Sequence, residues 1–152
     1  MTGHAALARA NFETGCNCAQ AVLCAYPELL PRETAMKLGA SLGDGIGRLR
    51  EVCGAVSGML IALGLKYGYA DPKDKAGKAA QYEVIRALAD EFKRENGSII
   101  CRELLGLDEN CQPEPPEDRT AAYYAKRPCA KLCQTAGEIF ERYVAEHPED
   151  GQ

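Results

Sequence analysis

Residues 43–68, GDGIGRLREVCGAVSGMLIALGLKYG, join a glycine-rich loop to the most apolar helix candidate of the chain through one cysteine, Cys53. The residues after Cys53 are nearly all apolar or small, but the run is shorter than the roughly 20 residues that cross a bilayer. They therefore predict a buried helix. Gly54, Gly58 and Ala62 recur at every fourth position, on one helix face. Because a glycine inside a helix costs about 1 kcal/mol relative to alanine, we expect another backbone to pack closely against this face.

The other segments predict an all-α fold, a compact bundle of about six or seven helices around this Gly/Ala-rich helix. Apolar residues recur with helical spacing, and no strand-like alternation extends beyond a few residues. Start and stop signals, such as Asp71-Pro72, place the helices at 4–11, 18–26, 31–42, 53–65, 72–95, 98–105 and 128–147. We expect an exposed loop at 108–117, a frayed tail at 148–152, and one domain covering residues 1–152.

Composition and charge restrict the function classes. The net charge is −4 and the basic residues are scattered, which argues against a nucleic-acid surface. We find no signal peptide or membrane segment, so the sequence predicts a cytoplasmic protein. Eight cysteines are many for a protein in a reducing compartment and indicate redox chemistry or metal binding.

Several standard motifs are missing from the sequence. There is no CxxC, hence no thioredoxin motif or zinc ribbon, and there is no HExxH, Ser/His/Asp set, Walker motif or GxGxxG fingerprint. Hydrolase chemistry and nucleotide binding therefore have little support. His4 and His147 lie near the chain ends, where we expect solvated residues. A metal site would then consist mostly or wholly of thiolates.

Four cysteines share one position in the predicted helices: Cys18, Cys53, Cys101 and Cys129 each fall in a first turn, on the apolar face. A helix N-terminus stabilises a thiolate and lowers its pKa. If the four converge, they form either a pocket of activated thiols or a tetrathiolate site for an iron–sulfur cluster, zinc or Cu(I). The alternative is that they only fill the core, as free cysteines often do.

The remaining cysteines receive weaker assignments. Cys16 and Cys133 are candidate additional ligands, since each lies close in sequence to one of the four. Cys24 is expected to fill the core, and Cys111 lies on the predicted exposed loop. Three arginines near the four cysteines are candidates to supply positive charge to thiolates: Arg48, Arg50 and Arg102.

The order and spacing of several short segments match a known family. The segments are NCAQAVL at 17–23, GRLREVCGAVSG at 47–58, GLKYG at 64–68, DPKDK at 71–75, GSIICREL at 97–104 and the late Cys129. Over about residues 11–145 the chain resembles the bacterial C_GCAxxG_C_C family of redox-active proteins. The family name is written GCAxxG, whereas this chain has Cys-Gly-Ala-Val-Ser-Gly at 53–58.

The resemblance implies a helical redox or cluster-binding domain whose four signature cysteines fall on Cys18, Cys53, Cys101 and Cys129. The leading hypothesis is an iron–sulfur electron carrier with a redox partner protein. Metal-free thiol–disulfide exchange, a structural Cys₄ zinc site and a helical interaction module remain alternatives. Whether the protein is an enzyme, an oxidoreductase for instance, and whether it forms a homo-oligomer are left open by the sequence.

Overall fold

The fold is all-α, as the sequence predicts. The computed structural model describes residues 3–112 and 114–148, so the tail expected at 148–152 lies, except for its first residue, outside the described residues. Within the described residues, eight right-handed helices and one short left-handed turn, labelled α4, follow in chain order: α1 (Gly3–Glu13), α2 (Cys18–Leu23), α3 (Arg32–Gly39), α4 (Gly43–Ile46), α5 (Gly54–Tyr67), α6 (Lys75–Asn96), α7 (Cys101–Leu104), α8 (Ala121–Lys126) and α9 (Cys129–Glu146).

Helix α5 packs against α2 through its small residues, as expected. A Cβ atom added at Gly54 would lie 2.9 Å from Leu42 O and 3.1 Å from Ala19 N. At Gly58 it would lie 2.9 Å from Ala19 O. These backbone atoms leave no room for a side chain, so both glycines allow α2 and α5 to approach closely. Ala62 is fully buried on the same helix.

The start of α2 is fixed by a capping box. The side chain of Asn17 accepts the backbone N–H of Gln20 at 2.8 Å, and the side chain of Gln20 accepts the N–H of Asn17 at 3.0 Å. Asn17 also donates to Gly39 O at 3.1 Å. One side chain therefore sets the first residue of α2, which is Cys18, and ties it to the end of α3.

Helix α9 lies against α1, α2, α5 and α6 and buries eight of its residues. Its Gly137 packs on α1, where an added Cβ would lie 2.9 Å from Ala5 Cα. Phe140 and Ile139 are almost completely buried. Across the described helices, none combines the length and apolarity required to cross a membrane.

Residues 44–50 form an unusual backbone segment. Positive φ angles occur at Asp44 (54°), Ile46 (70°), Arg48 (74°) and Arg50 (65°), in addition to the two glycines between them. A left-handed conformation costs roughly 1–2 kcal/mol at each non-glycine residue, so surrounding contacts must hold the segment in place. An isolated antiparallel bridge between Val52 and Ile100 follows it and anchors its C-terminal end.

Several local expectations differ from the structure. The helices expected at 18–26 and 31–42 end earlier, at Leu23 and Gly39. Helix α6 begins at Lys75 instead of 72, because Asp71 accepts the N–H of Lys73 in a turn and Asp74 caps the helix through Gly77 N at 2.8 Å. Tyr82 belongs to the apolar spacing of α6, yet it is 47% exposed. Ser98 bonds Ile100 N two residues on, so α7 starts only at Cys101. Helix α8, capped by Thr120, was not predicted.

Candidate functional site

The four signature cysteines all lie at helix starts. Cys18, Cys101 and Cys129 are the first residues of α2, α7 and α9, and Cys53 is the N-cap residue of α5. Each is between 4% and 6% exposed. The predicted position in the first turn and on a buried face is therefore what the structure shows, although the roles of these residues stay predictions.

The structure brings the four thiols together around Cys18. The thiol of Cys129 lies close enough to raise the pKa of Cys18, and Cys18 in turn acts to raise the pKa values of Cys53 and Cys101. Cys53 and Cys101 are held on adjacent segments, because Cys53 N donates to Ile99 O at 2.8 Å and Cys101 N donates to Glu51 O at 2.6 Å.

The left-handed turn packs directly on the thiols. The backbone N–H of Asp44 lies close enough to Cys18 to act against the rise in the pKa of this thiol. An added Cβ at Gly45 would lie 2.7 Å from the Cβ of Cys101, so only glycine fits between the turn and α7. Strained backbone conformations persist where the surrounding structure enforces them, and they occur often at functional sites. In this segment the left-handed backbone brings the N–H of Asp44 near the sulfur of Cys18. It also packs Gly45 against Cys101.

Burial opposes the lowering of thiol pKa values that the helix starts predict. The hydrogen bond with Cys129, together with burial, raises the pKa of Cys18. Burial also raises the pKa of Cys53, although the N–H groups of Ala55 and Val56 act in the other direction. Burial raises the pKa of Cys101 in the same way, against the hydrogen bond from Arg50. For these three thiols the expected lowering of the pKa is therefore wrong.

Three buried arginines lie on one side of the thiols. Arg50 Nη1 donates to the sulfur of Cys101 at 3.6 Å, and Arg127 Nη1 donates to that of Cys129 at 3.9 Å. The side chains of Arg48, Arg50 and Arg127 are only 8–10% exposed.

These three guanidinium groups share two carboxylates. Asp44 lies 3.3 Å from Arg127, 3.4 Å from Arg50 and 3.8 Å from Arg48. Glu117 lies 2.8 Å from Arg127 and 3.7 Å from Arg48. The three guanidinium groups and the two carboxylates therefore have a net charge of about +1.

The sequence identifies this network only in part. Arg48 and Arg50 are two of the three expected arginines, but the third, Arg102, points away and donates to Asp108 O. Arg127 was missed, although its position two residues before Cys129 is a signal that could have indicated it. Nothing in the sequence indicated Glu117, since it comes from the loop before α8.

The other cysteines lie at varying distances from the four. The sulfur of Cys133 donates to the backbone oxygen of Cys18 at 3.7 Å, next to the site. Cys16 contacts the thiol of Cys24 and lies 3.8 Å from Met36 Sδ, so it forms a separate pair. Cys24 is buried, as expected, and Cys111 is half-buried. All eight cysteines lie in the described part of the chain, and all are free thiols.

The two histidines are ordered instead of solvated. The ring nitrogens of His4 lie 2.7 Å from Glu28 and 2.7 Å from Glu141. The ring of His147 stacks on Tyr143 with centroids 4.1 Å apart. None of these contacts involves a signature cysteine, and the expectation of a site made mostly or wholly of thiolates stays a prediction.

A single metal ion does not fit the side chains as they stand. Within residues 3–112 and 114–148, no group of three or more His, Cys, Asp or Glu residues is placed to hold one. The cysteine-rich composition is nevertheless compatible with a metal cofactor. The ligands of an iron–sulfur cluster bind different iron atoms, so a cluster needs its thiolates farther apart than one ion does.

The fold and the site define a class of helical protein in which four buried cysteines meet at four helix starts. Residues 16–143 match the family model described as "Putative redox-active protein (C_GCAxxG_C_C)". The match covers most of the chain, and the chain therefore belongs to this family. No curated protein and no solved structure gives a significant match.

Proposed function

We propose that this protein is a thiol–disulfide redox protein in which Cys18 and Cys129 cycle between two thiols and a disulfide. The observation that carries the proposal is the closeness of these two buried thiols at the adjoining starts of α2 and α9, where Cys129 raises the pKa of Cys18 and the neighbouring Cys133 sulfur donates to Cys18 O at 3.7 Å. Arg127 and the N-terminus of α9 face the sulfur of Cys129, where they stabilise developing negative charge. Cys129 is the attacking thiol in this scheme, and Cys18 is the resolving thiol.

The oxidant in this reaction is a disulfide. The sulfur of Cys129 attacks one sulfur of the disulfide, and the other sulfur leaves as a thiolate that takes up a proton. Cys18 then loses its proton, attacks the sulfur of Cys129 and displaces the second thiolate, which is also protonated. The protein thereby loses two electrons and two protons, and the disulfide becomes two thiols.

Peptide mapping tests this pairing. The reduced protein is treated with hydroxyethyl disulfide, a small neutral disulfide, and the products are identified by mass spectrometry. We expect a bond between Cys18 and Cys129. The Cys18→Ser variant should stop at a mixed disulfide on Cys129, and Cys129→Ser should not form one on Cys18. Cys24→Ser is the matched control and should react as the wild type does. A bond between any other two cysteines contradicts the assignment.

An iron–sulfur cluster bound by Cys18, Cys53, Cys101 and Cys129 is the second candidate. It is favoured by the closeness of Cys53 and Cys101 to Cys18 and by the backbone N–H groups of Asp44, Ala55 and Val56, which act to lower the pKa values of Cys18 and Cys53. Hydrogen bonds to sulfur are one means by which proteins tune such clusters. Iron and acid-labile sulfide in protein purified without oxygen, lost in Cys53→Ser, support this candidate; a metal-free protein contradicts it.

The proposal extends to location and partners. Eight free thiols persist most readily in a reducing compartment, so we propose the cytoplasm. The oxidised protein must be returned to the dithiol form, and we propose a redox partner protein for that step. Activity-dependent capture by Cys18→Ser, in which the mixed disulfide on Cys129 is not resolved, would identify a protein partner.

A further inference from the structure

A cavity of about 270 Å³ is lined by the buried arginines and by Cys111, and none of the four signature cysteines is among its described lining residues. Its volume lies just below the roughly 300–1,000 Å³ that is usual for small-molecule sites. Four basic and two acidic side chains line it, among them Arg48, Arg50, Lys126 and Arg127, with Tyr123 and Leu105 providing apolar surface. The cavity therefore suits a small molecule with negative charge.

One arginine in its wall has an unused donor. Arg48 is 9% exposed, and its Nε atom is buried without any hydrogen-bond partner in the described chain. Its two carboxylate neighbours are distant, at 3.7 and 3.8 Å. An unpaired charged donor is costly to bury. Because the Nε atom itself has no access to solvent, a carboxylate in the cavity would meet the other nitrogens of Arg48, whose carboxylate neighbours are these two long pairs.

Glu117 shows which chemistry the arginines accept. Its carboxylate bonds Arg127 at 2.8 Å and approaches Arg48, yet its side chain is 53% exposed and lies on a loop. The hydrogen bond from Arg127 lowers the pKa of Glu117, so this group is a carboxylate at neutral pH. A ligand carboxylate would meet the same guanidinium groups in paired, charge-assisted geometry.

Arg127 connects the cavity to the thiol pair. It lines the cavity, it donates to the sulfur of Cys129, and its guanidinium lies 4.8 Å from the ring centre of Tyr123. A molecule held by Arg127 is therefore one side chain away from the sulfur that attacks in the proposed reaction.

We propose that this cavity binds a small disulfide that carries a carboxylate, which Arg48 and Arg127 hold while its sulfur faces Cys129. This substrate assignment rests on the proposed dithiol function. The electron balance is that of the reaction above: the bound disulfide is reduced to two thiols as Cys18 and Cys129 are oxidised. The charge on the substrate provides the binding, and the thiol pair provides the chemistry.

The binding half is tested with adipate, which has the length of dithiodiglycolate but contains no sulfur. Calorimetric titration of the reduced protein should show one adipate per chain, and the neutral diamide of adipate should not bind. Arg48→Met should weaken adipate binding by about tenfold or more, as expected for a charge-assisted hydrogen bond. Lys131→Gln, which removes one exposed positive charge outside the cavity, should leave it unchanged.

A second variant makes the test independent of the folding of Arg48→Met. Glu117→Gln removes the carboxylate that competes for Arg127, so adipate should bind more tightly. No binding of adipate to the wild type, or unchanged affinity in Glu117→Gln, would overturn the assignment and leave the arginines with a purely structural role.

The chemical half compares three small disulfides of different charge: dithiodiglycolate (anionic), hydroxyethyl disulfide (neutral) and cystamine (cationic). Each rate of forming the bond between Cys18 and Cys129 is divided by the rate of the same disulfide with a free small thiol. The anionic disulfide should show the highest ratio, and Arg48→Met should remove its advantage. Equal ratios would overturn the substrate assignment alone, whereas no bond with any of the three would overturn the dithiol function.

Discussion

Replacing glycine by alanine at two positions of α5 should change stability in opposite directions. At Gly64 an added Cβ meets nothing within 4 Å, so Gly64→Ala gains the helix propensity of alanine, roughly 0.5–1 kcal/mol. At Gly58 the Cβ would lie 2.9 Å from Ala19 O and 3.0 Å from Val22 Cβ. Because one of these atoms is backbone and α2 is packed on several sides, the overlap should cost about 1–3 kcal/mol.

The net effect at Gly58 is the difference between these two quantities. We expect Gly58→Ala to be about 1 kcal/mol less stable than the wild type, and thus about 2 kcal/mol less stable than Gly64→Ala. In a domain of this size, 1 kcal/mol corresponds to about 2–4 °C in melting temperature. The two variants should therefore melt on opposite sides of the wild type.

Urea denaturation followed by circular dichroism measures both variants under one condition. Their composition is identical, so differences in charge or hydrophobicity do not enter. Equal stability of Gly58→Ala and Gly64→Ala would refute the close contact between α2 and α5. It would also remove the physical reason for two glycines on the same face of that helix.

Three further effects on stability follow from named contacts. Asn17→Ala removes the capping box of α2 and should lower the free energy of unfolding by about 1–2 kcal/mol in urea denaturation. Arg119→Met removes a guanidinium that lies 4.5 Å from the Phe12 ring centre and donates to two carbonyl oxygens. It should lower the free energy of unfolding by about 2 kcal/mol or more. The control variant Arg86→Met, at an exposed position, should stay within about 0.5 kcal/mol of the wild type. Burial raises the pKa of Tyr26 in the folded protein. The stability that its neutral hydroxyl contributes is therefore complete below the pKa of tyrosine in the unfolded chain, about 10, and is lost as the pH rises from there towards the pKa in the folded protein. Tyr26→Phe should cost about 1 kcal/mol at pH 7 through the lost bond to a carbonyl, and this deficit should shrink above about pH 10; a deficit that does not depend on pH would contradict the burial argument.

Local chemistry made the helices near the site predictable from the sequence. Asn17 is an N-cap residue type that needs no tertiary context, and α2 starts directly after it, at Cys18, as the sequence predicts. The glycine spacing of α5 likewise requires a close neighbour, and the structure supplies α2. Asp71-Pro72 was a weaker guide, because a second aspartate three residues later competes for the cap and takes it.

The geometry of the site could not be derived in the same way. Three glycines indicated a flexible backbone at 43–47, but left-handed angles at Ile46 and Arg48 arise only because the packed chain enforces them. The pKa directions depend on burial, which outweighs the helix starts at Cys53. Arg127 and Glu117 meet only when the loop before α8 folds back over the turn, a contact with no local sequence signal.

The contact between Cys18 and Cys129 joins positions about 110 residues apart in the chain. A covalent bond there would close most of the polypeptide into one loop and remove much of the conformational entropy of the unfolded state. For a loop of about 100 residues this amounts to about 4–5 kcal/mol. By thermodynamic reciprocity, folding would make this disulfide harder to reduce by the same free energy, which corresponds to roughly 100 mV in reduction potential. Oxidation of this pair would thus raise the free energy of unfolding of the whole domain, and reduction would lower it again.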